Sequence, residues 1–511
     1  MKDSSRVITN TIILYAKVII TSLIGFFTTR FVLENLGAED YGINNVVAGV
    51  VAMLSFMSIS MTTSTLRFNA YYLGKDNDEK QKAVFNTSLV VHFIIGLVIV
   101  LLLETFGVFF LEDVLNIPPT RLDVAKFIFH FVTFSMFITV MSVPYDAVIN
   151  AHENMLLFSI ISILESIIKF SLAIALFYVN VDKLVFYSVG ISLVPLLVLL
   201  IKHVACKRRY QEVKLELALC SKPLIKEMFG FTFWNMFGAF SNTCKNQGVS
   251  MVLNVFFGVV INAAYGIAHQ VNSMLSYITG SLQKSLNPLI MKTEGAGNRQ
   301  RTLSLAYTQS KYSFLLLSIM VLPIFGSLEY LLGLWLKDVP DHTLMFCKLI
   351  LLYNMLCMLT TGLQVAIQAH GKIKQYQLTV SSIILLNLPI AYLLLKCGLP
   401  AESVVGSFIF VEIILIVTRV SFAHKLIEMP IRDYYQHVIY PLRYLLVAVP
   451  LVALIDYFIP STSFWIFLLA FFVKFAVTVV AIYFMSCEKD ERQIVNEKAQ
   501  NVLVKIIKKK H

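Results

Sequence analysis

Long apolar runs separated by short polar breaks dominate this chain. A run of about twenty apolar residues is long enough to cross ~30 Å of hydrocarbon as a helix. In the first part of the chain such runs fall near 7–33, 41–66, 84–110, 124–147, 155–179 and 184–205. In the second part they fall near 227–257, 260–290, 305–332, 343–367, 376–396, 402–423, 438–459 and 463–486. Their apolarity is continuous, whereas barrel strands would alternate over about ten residues, so helices are expected. The pattern predicts an all-α polytopic membrane protein of about 14 transmembrane helices. It divides into a six-helix lobe over 1–205, a basic bridge over 206–226, a second six-helix lobe over 227–425, two additional helices within 426–487 and a basic tail over 488–511.

Composition agrees with that class. The 511 residues are 57% hydrophobic and 14% charged, with a mean hydropathy of +0.75, too apolar for a soluble globular chain. A net charge of +11 raises nucleic acid as a partner, but the basic residues sit in short loops between apolar runs, where membrane orientation accounts for them. The bridge carries Lys207, Arg208, Arg209, Lys214, Lys222 and Lys226. The opposite loops hold only scattered cations such as Arg30, Arg121, Lys126, Lys183, Lys337 and Lys396, beside Glu34, Glu39, Asp40, Glu112 and Asp113. The positive-inside rule therefore places both termini and the bridge in the cytoplasm. The first residues run into the apolar stretch ending near Leu33 with no small-residue cleavage site, which predicts a retained span. The tail mixes Ile494, Val495, Val502, Leu503 and Ile506 with charges, which suits either a helix on the anionic inner leaflet or a disordered basic segment.

An internal repeat supports two lobes. A shift of 221 residues carries Met53-Leu54-Ser55 onto Met274-Leu275-Ser276, Ser60 onto Ser281, Ser64 onto Ser285, Gly74 onto Gly295, Asn77 onto Asn298 and Thr87 onto Thr308. Both copies would then run the same way through the membrane, with a path between lobes that rock.

LGAEDYGINNVVAGV, from Leu36, and GVVINAAYGIAHQVNSMLSYITGSLQ, from Gly258, fit this layout of six spans, bridge, six spans and two. Together they resemble the multidrug/oligosaccharidyl-lipid/polysaccharide exporter superfamily, and within it the polysaccharide (O-antigen or capsule) flippases of bacteria. The resemblance implies a V-shaped cavity between two lobes. It also implies transfer of an undecaprenyl-pyrophosphate-linked oligosaccharide from the cytoplasmic to the periplasmic leaflet of the inner membrane, feeding polysaccharide polymerase machinery. An ion-coupled multidrug exporter and a peptidoglycan lipid-precursor flippase are the alternatives. The exporter reading is weakened because such exporters commonly use an acidic residue in the first span, and none lies between Val7 and Leu33.

Charges inside the spans are the candidate site, because a Lys or Arg at mid-bilayer costs ~2.5–3.5 kcal/mol on insertion scales. Lys17 lies on a polar stripe with Asn10, Thr21 and Thr28. Lys245 shares a helix face with Trp234, Gly238 and Ser241, which reads either as a sugar-phosphate path or as a small-residue packing seam. His269 and Lys284 lie on one polar side of the next span with Asn272, Ser276 and Gln283. Arg67 ends the second span, as a first phosphate contact or as an orientation anchor. Glu165 and Lys169 are an i,i+4 pair, either an internal ion pair or an ion-coupling site at which H+ or Na+ competes for Glu165.

Other chemistry is disfavoured. Gly295-Ala296-Gly297 follows no strand and lacks a Gly-Lys-Ser/Thr ending, so it is no phosphate loop. The seven cysteines form no CxxC pair, arguing against a zinc site or disulfide framework. No cofactor is expected, and the short loops and lack of a paired nucleophile and base argue against an enzyme.

Overall fold

A computed structural model describes residues 2–52, 55–107, 109, 118–336, 339–460, 463–488 and 491–493. Met53, Leu54, Glu112, Asp113, Lys337 and the tail from 494 onward, which the sequence reading invoked, lie outside the described residues. The described residues are helical with short connections and contain no strand. The helices are α1 (Lys2–Ala52), α2 (Ser55–Gly74), α3 (Asp78–Leu102), α4 (Leu122–Ala151), α5 (Met155–Ala175), α6 (Lys183–Arg209), α7 (Lys222–Phe257), α8 (Val259–Gly295) and α9 (Arg299–Phe325). They continue as α10 (Leu328–Trp335), α11 (Thr343–Met358), α12 (Thr361–His370), α13 (Lys374–Leu385), α14 (Asn387–Lys396), α15 (Ser403–Ile427), α16 (Ile431–Tyr434), α17 (Leu445–Phe458) and α18 (Phe464–Met485).

By length and composition, 10 helical stretches among the described residues can cross a membrane, and the bent pair α11–α12 makes an eleventh. The expected segments near 41–66, 227–257 and 260–290 are also helical, in the second arm of α1 with α2, in α7 and in α8. Their Asn, Gln, Ser, Thr and Lys residues lower their hydropathy. The exposed surface supports a lipid environment: Leu446 is 79% and Trp465 77% exposed, a cost in water and none against acyl chains.

Local chemistry sets the helix ends. Gly37, at φ 75°, breaks α1 where a side chain would be strained. Asn154 caps α5 by accepting the Leu157 amide at 3.1 Å, and Asp182 caps α6 by accepting the Leu184 amide at 3.0 Å. Such caps are typically worth ~1 kcal/mol. Lys207, Arg208 and Arg209 close α6 at the negative end of its dipole.

The chain divides into two units. Unit 1 comprises Met1–Thr243, Lys284–Thr302 and Val365–Ser382, and unit 2 comprises Cys244–Gln283, Leu303–Gln364 and Ile383–His511. In unit 1, α4 is central, packing on α6, α2 and α3, while α1 lies along α5. Ile43, Val47, Met61, Ile99, Phe129 and Val140 form one apolar cluster there, and Phe85, Tyr145, Ile149 and Val198 another. In unit 2, α15 packs on α11 and α14, and α17 packs on α18.

The bridge is clipped down rather than free. The Asn86 side chain donates to the Lys214 carbonyl at 2.8 Å and accepts the Glu216 amide at 2.8 Å, and Tyr210 stacks on His152 with ring centroids 4.4 Å apart. These contacts tie its first half to α3 and α4.

The repeat is structural as well as textual. Asn77 accepts the Lys80 amide at 2.9 Å, and Asn298, at the equivalent position, accepts the Arg301 amide at 3.1 Å. The residues just before them, Asp76 and Gly297, both have positive φ, at 51° and 74°. Gly74 and Gly295 end α2 and α8.

Candidate functional site

Lysines and one aromatic ring define the site in unit 1. Lys17 on α1 and Lys284 on α8 both face the Phe158 ring of α5, their Nζ atoms 5.6 and 3.4 Å from its centroid. Nearby on α4 and α6, Lys202 donates to Asp146 at 2.7 Å and to the Ser142 hydroxyl at 3.4 Å. Lys284 lies within electrostatic range of Lys17, Lys202 and Asp146. Lys17 is likewise within range of Glu165, which already accepts from Lys169 at 2.6 Å. Each carboxylate is thus matched by its own lysine. Among the described residues, Lys17 and Lys284 form no ion pair of their own.

That arrangement can hold an anion. An ammonium over an aromatic face gains ~0.5–2 kcal/mol, and a charge-assisted hydrogen bond ~1.5–3 kcal/mol. A phosphate oxygen can therefore compete with the ring for either ammonium.

The other expected residues of unit 1 are engaged differently. Arg67 sits at 4.5, 4.9 and 5.2 Å from the Phe68, Tyr71 and Phe231 rings. It donates to the Ala369 and His370 carbonyls at 3.3 and 3.5 Å and pairs with the exposed Glu227 at 3.5 Å. Gly371, at φ 96°, leaves room for it, since a Cβ there would overlap the guanidinium. Trp234 lies edge-on to Phe233 and Phe237 with the Lys374 ammonium 5.5 Å from its ring. Gly238, on the same face, is seated against Gln377, whose amide donates to Asn235 at 3.2 Å, so α7 packs on α13 at this point. The Glu165–Lys169 pair is about one-third exposed on both sides.

In unit 2, Lys245 is 4% exposed, donates to the Tyr353 hydroxyl at 2.7 Å and faces the Tyr353 and Phe408 rings. The buried Glu412–Arg419 ion pair is within electrostatic range of it, and Arg419 also donates to Thr360 at 3.0 Å. His269 lies edge-on to Tyr265 at 4.5 Å, and its Nε2 is buried with no hydrogen-bond partner among the described residues. One turn on, Asn354 bridges Asn272 and Ser276 at 2.7 and 2.9 Å.

The sequence reading did not name Phe158, Asp146, Lys202, Tyr353, Glu412 or Arg419. Glu412 and Arg419 carried a usable signal: opposite charges seven residues apart, on one helix face, inside an expected span. Phe158 carried none, since a single Phe in an apolar run is indistinguishable from its neighbours.

A family model described as polysaccharide biosynthesis protein matches residues 7–294. Among solved structures, an outward-facing multidrug resistance MATE family transporter of the MOP superfamily aligns with a TM-score of 0.72 at 13% identity, covering 83% of this chain and 96% of that one. A MATE structure in the straight conformation aligns at TM-score 0.69, 13% identity and the same 83% and 96% coverage. A MOP superfamily transporter from Pyrococcus furiosus Vc1, described as having a binding pocket of reverse polarity that suggests a different function, aligns at TM-score 0.68, 13% identity, 83% and 96%. At these identities the likeness is one of fold. No curated protein matches the chain.

Proposed function

The chain belongs to the polysaccharide biosynthesis protein family, and on that premise we propose that it flips an undecaprenyl-pyrophosphate-linked oligosaccharide from the cytoplasmic to the periplasmic leaflet of a bacterial inner membrane. Both termini are cytoplasmic in this reading, access alternates between two lobes, and the delivered unit passes to a polysaccharide polymerase. The observation that carries it is the pair Lys17 and Lys284, two cations left unmatched around Phe158 while the carboxylates beside them are taken. A pyrophosphate diester brings the two negative charges that such a pair lacks. A cationic drug would meet net repulsion there instead. Trp234 and Arg67 in unit 1, and Lys245 and His269 in unit 2, are further substrate contacts in this reading.

Coupling follows from Glu165. A proton or sodium ion that neutralises it frees the Lys169 ammonium from its 2.6 Å bond, adding a third cation to the anion site. Glu165→Gln should then alter the pH or sodium dependence of transport, and an unchanged ion profile would remove this coupling scheme.

Deletion of the gene in its host tests the substrate. Loss of surface polysaccharide together with accumulation of the complete lipid-linked unit in the cytoplasmic leaflet is the expected result. Normal polysaccharide with raised sensitivity to cationic drugs would overturn the proposal in favour of export.

A further inference from the structure

The 221-residue repeat does more than duplicate a fold. Thr11 on α1 hydrogen-bonds Ser285 on α8 at 3.0 Å, and Thr232 on α7 donates to Ser64 on α2 at 2.7 Å. The two bonds are the same bond under the repeat, because the shift carries Thr11 onto Thr232 and Ser64 onto Ser285. The glycines repeat the relation. A Cβ on Gly74 would overlap the Lys292 carbonyl, and a Cβ on Gly295 would overlap the Tyr71 carbonyl, with Tyr71 and Lys292 again equivalent. All eight residues belong to unit 1. In each case a contact between the copies recurs with the two copies exchanged, which is the signature of a local two-fold axis.

We infer that these four contacts form a two-fold symmetric latch that fastens the repeat copies together at the basic end of the helices and must part for that end to open. Two physical features, its hydroxyl bonds and its glycine contacts, let such a latch part. Its polar bonds join neutral hydroxyls, which water can replace at little cost. Its helix ends touch backbone to backbone through glycine, which lets them slide apart, and Phe68 of α2, edge-on to Phe231 of α7 at 5.7 Å, disengages with them. Arg67, beside it, also bridges the copies: it lies over the Phe68, Tyr71 and Phe231 rings, donates to the Ala369 and His370 carbonyls and pairs with the exposed Glu227, so these contacts are released together with the latch. Symmetry also makes the latch cooperative, because parting one half removes the register of the other.

The inference does not depend on which lipid is carried, and its test reads conformation rather than transport. In full-length protein with its native cysteines replaced, Ala369→Cys reports opening: Ala369 is fully buried, and its carbonyl holds Arg67. Labelling by a membrane-impermeant maleimide should rise about tenfold with either Gly74→Leu or Gly295→Leu, and by similar factors because the seats are equivalent. In a second background, Lys75→Cys with Ala296→Cys should be joined rapidly by a short bifunctional maleimide when both glycines are present. The joining should be about tenfold slower with either leucine. If the leucine proteins fail gel filtration, Ser64→Ala with Ser285→Ala is the milder probe and should raise labelling a few-fold. The latch is overturned if the glycine protein does not cross-link, or if folded leucine or alanine variants label at the original rate while losing only thermal stability.

Discussion

Lys284 and Lys474 are both lysines enclosed by apolar helices, yet their surroundings differ in kind. Lys474, fully buried in unit 2, donates to Asp456 at 2.6 Å and to Ser327 at 2.7 Å, so its charge is cancelled and its protons are placed. Lys284 in unit 1 rests on the Phe158 ring with another lysine for company and no carboxylate of its own. A matched charge lets a helix pack inside a membrane protein; an unmatched one carries a standing cost that a ligand can repay. The contrast separates a matched charge from an unmatched one by chemistry alone.

The sharpest way to break this contrast is to truncate each lysine. Lys17→Ala and Lys284→Ala should each lower transport by about 10- to 100-fold, the loss of one charge-assisted contact, with folded protein unchanged. Arg at either position should keep much of the activity. Equal loss of folded protein in both variants would make them structural. Lys474→Ala should do the opposite. It should cost about 3 kcal/mol of stability, read as a lowered Tm in detergent, because Asp456 is left partly buried and alone. Transport per folded molecule should persist, and Lys474→Met with Asp456→Leu should recover most of the lost stability. A smaller effect is expected at the ring: Phe158→Leu should weaken substrate binding several-fold through the lost cation–π contact of ~0.5–2 kcal/mol, with no change in Tm beyond that of other conservative substitutions.

The smallest effect lies at a helix start away from the site. Asp182 is partly buried, which raises its pKa, but its bonds to Arg121 and to the Val185 and Leu184 amides outweigh this and hold it below the ordinary 3.8. A depressed carboxylate stabilises the fold above its ordinary value and loses that contribution as pH falls through the lowered one. Asp182→Asn, which keeps the helix cap, should therefore flatten the acid limb of stability against pH by less than about 1 kcal/mol, since the pair is roughly one-third exposed.

Much of this was legible in the linear order of residues. Continuous apolarity gave the helical membrane class, and Lys17 and Lys284 stood out because charge is costly in such runs. The repeat could be read at Ser64/Ser285 and Gly74/Gly295, but its purpose could not. Thr11 and Thr232 were invisible as partners, since a threonine in a span costs little and leaves no pattern. Gly238 showed only a small residue on a polar face, and Gln377, from a helix well over a hundred residues away, showed what packs against it. Lys245 showed only that a charge was present, and Tyr353 showed where its proton goes.

What the sequence determined by itself is whatever depends on the solvent around each residue: helices, their membrane placement and the duplication, because transfer free energies and local capping act over one or two turns. What only the tertiary structure decided is which charges are cancelled and which are left over. That depends on distances between residues far apart in the chain, as between Lys17 and Lys284 across Phe158, and electrostatic energy is set by those distances rather than by order along the backbone.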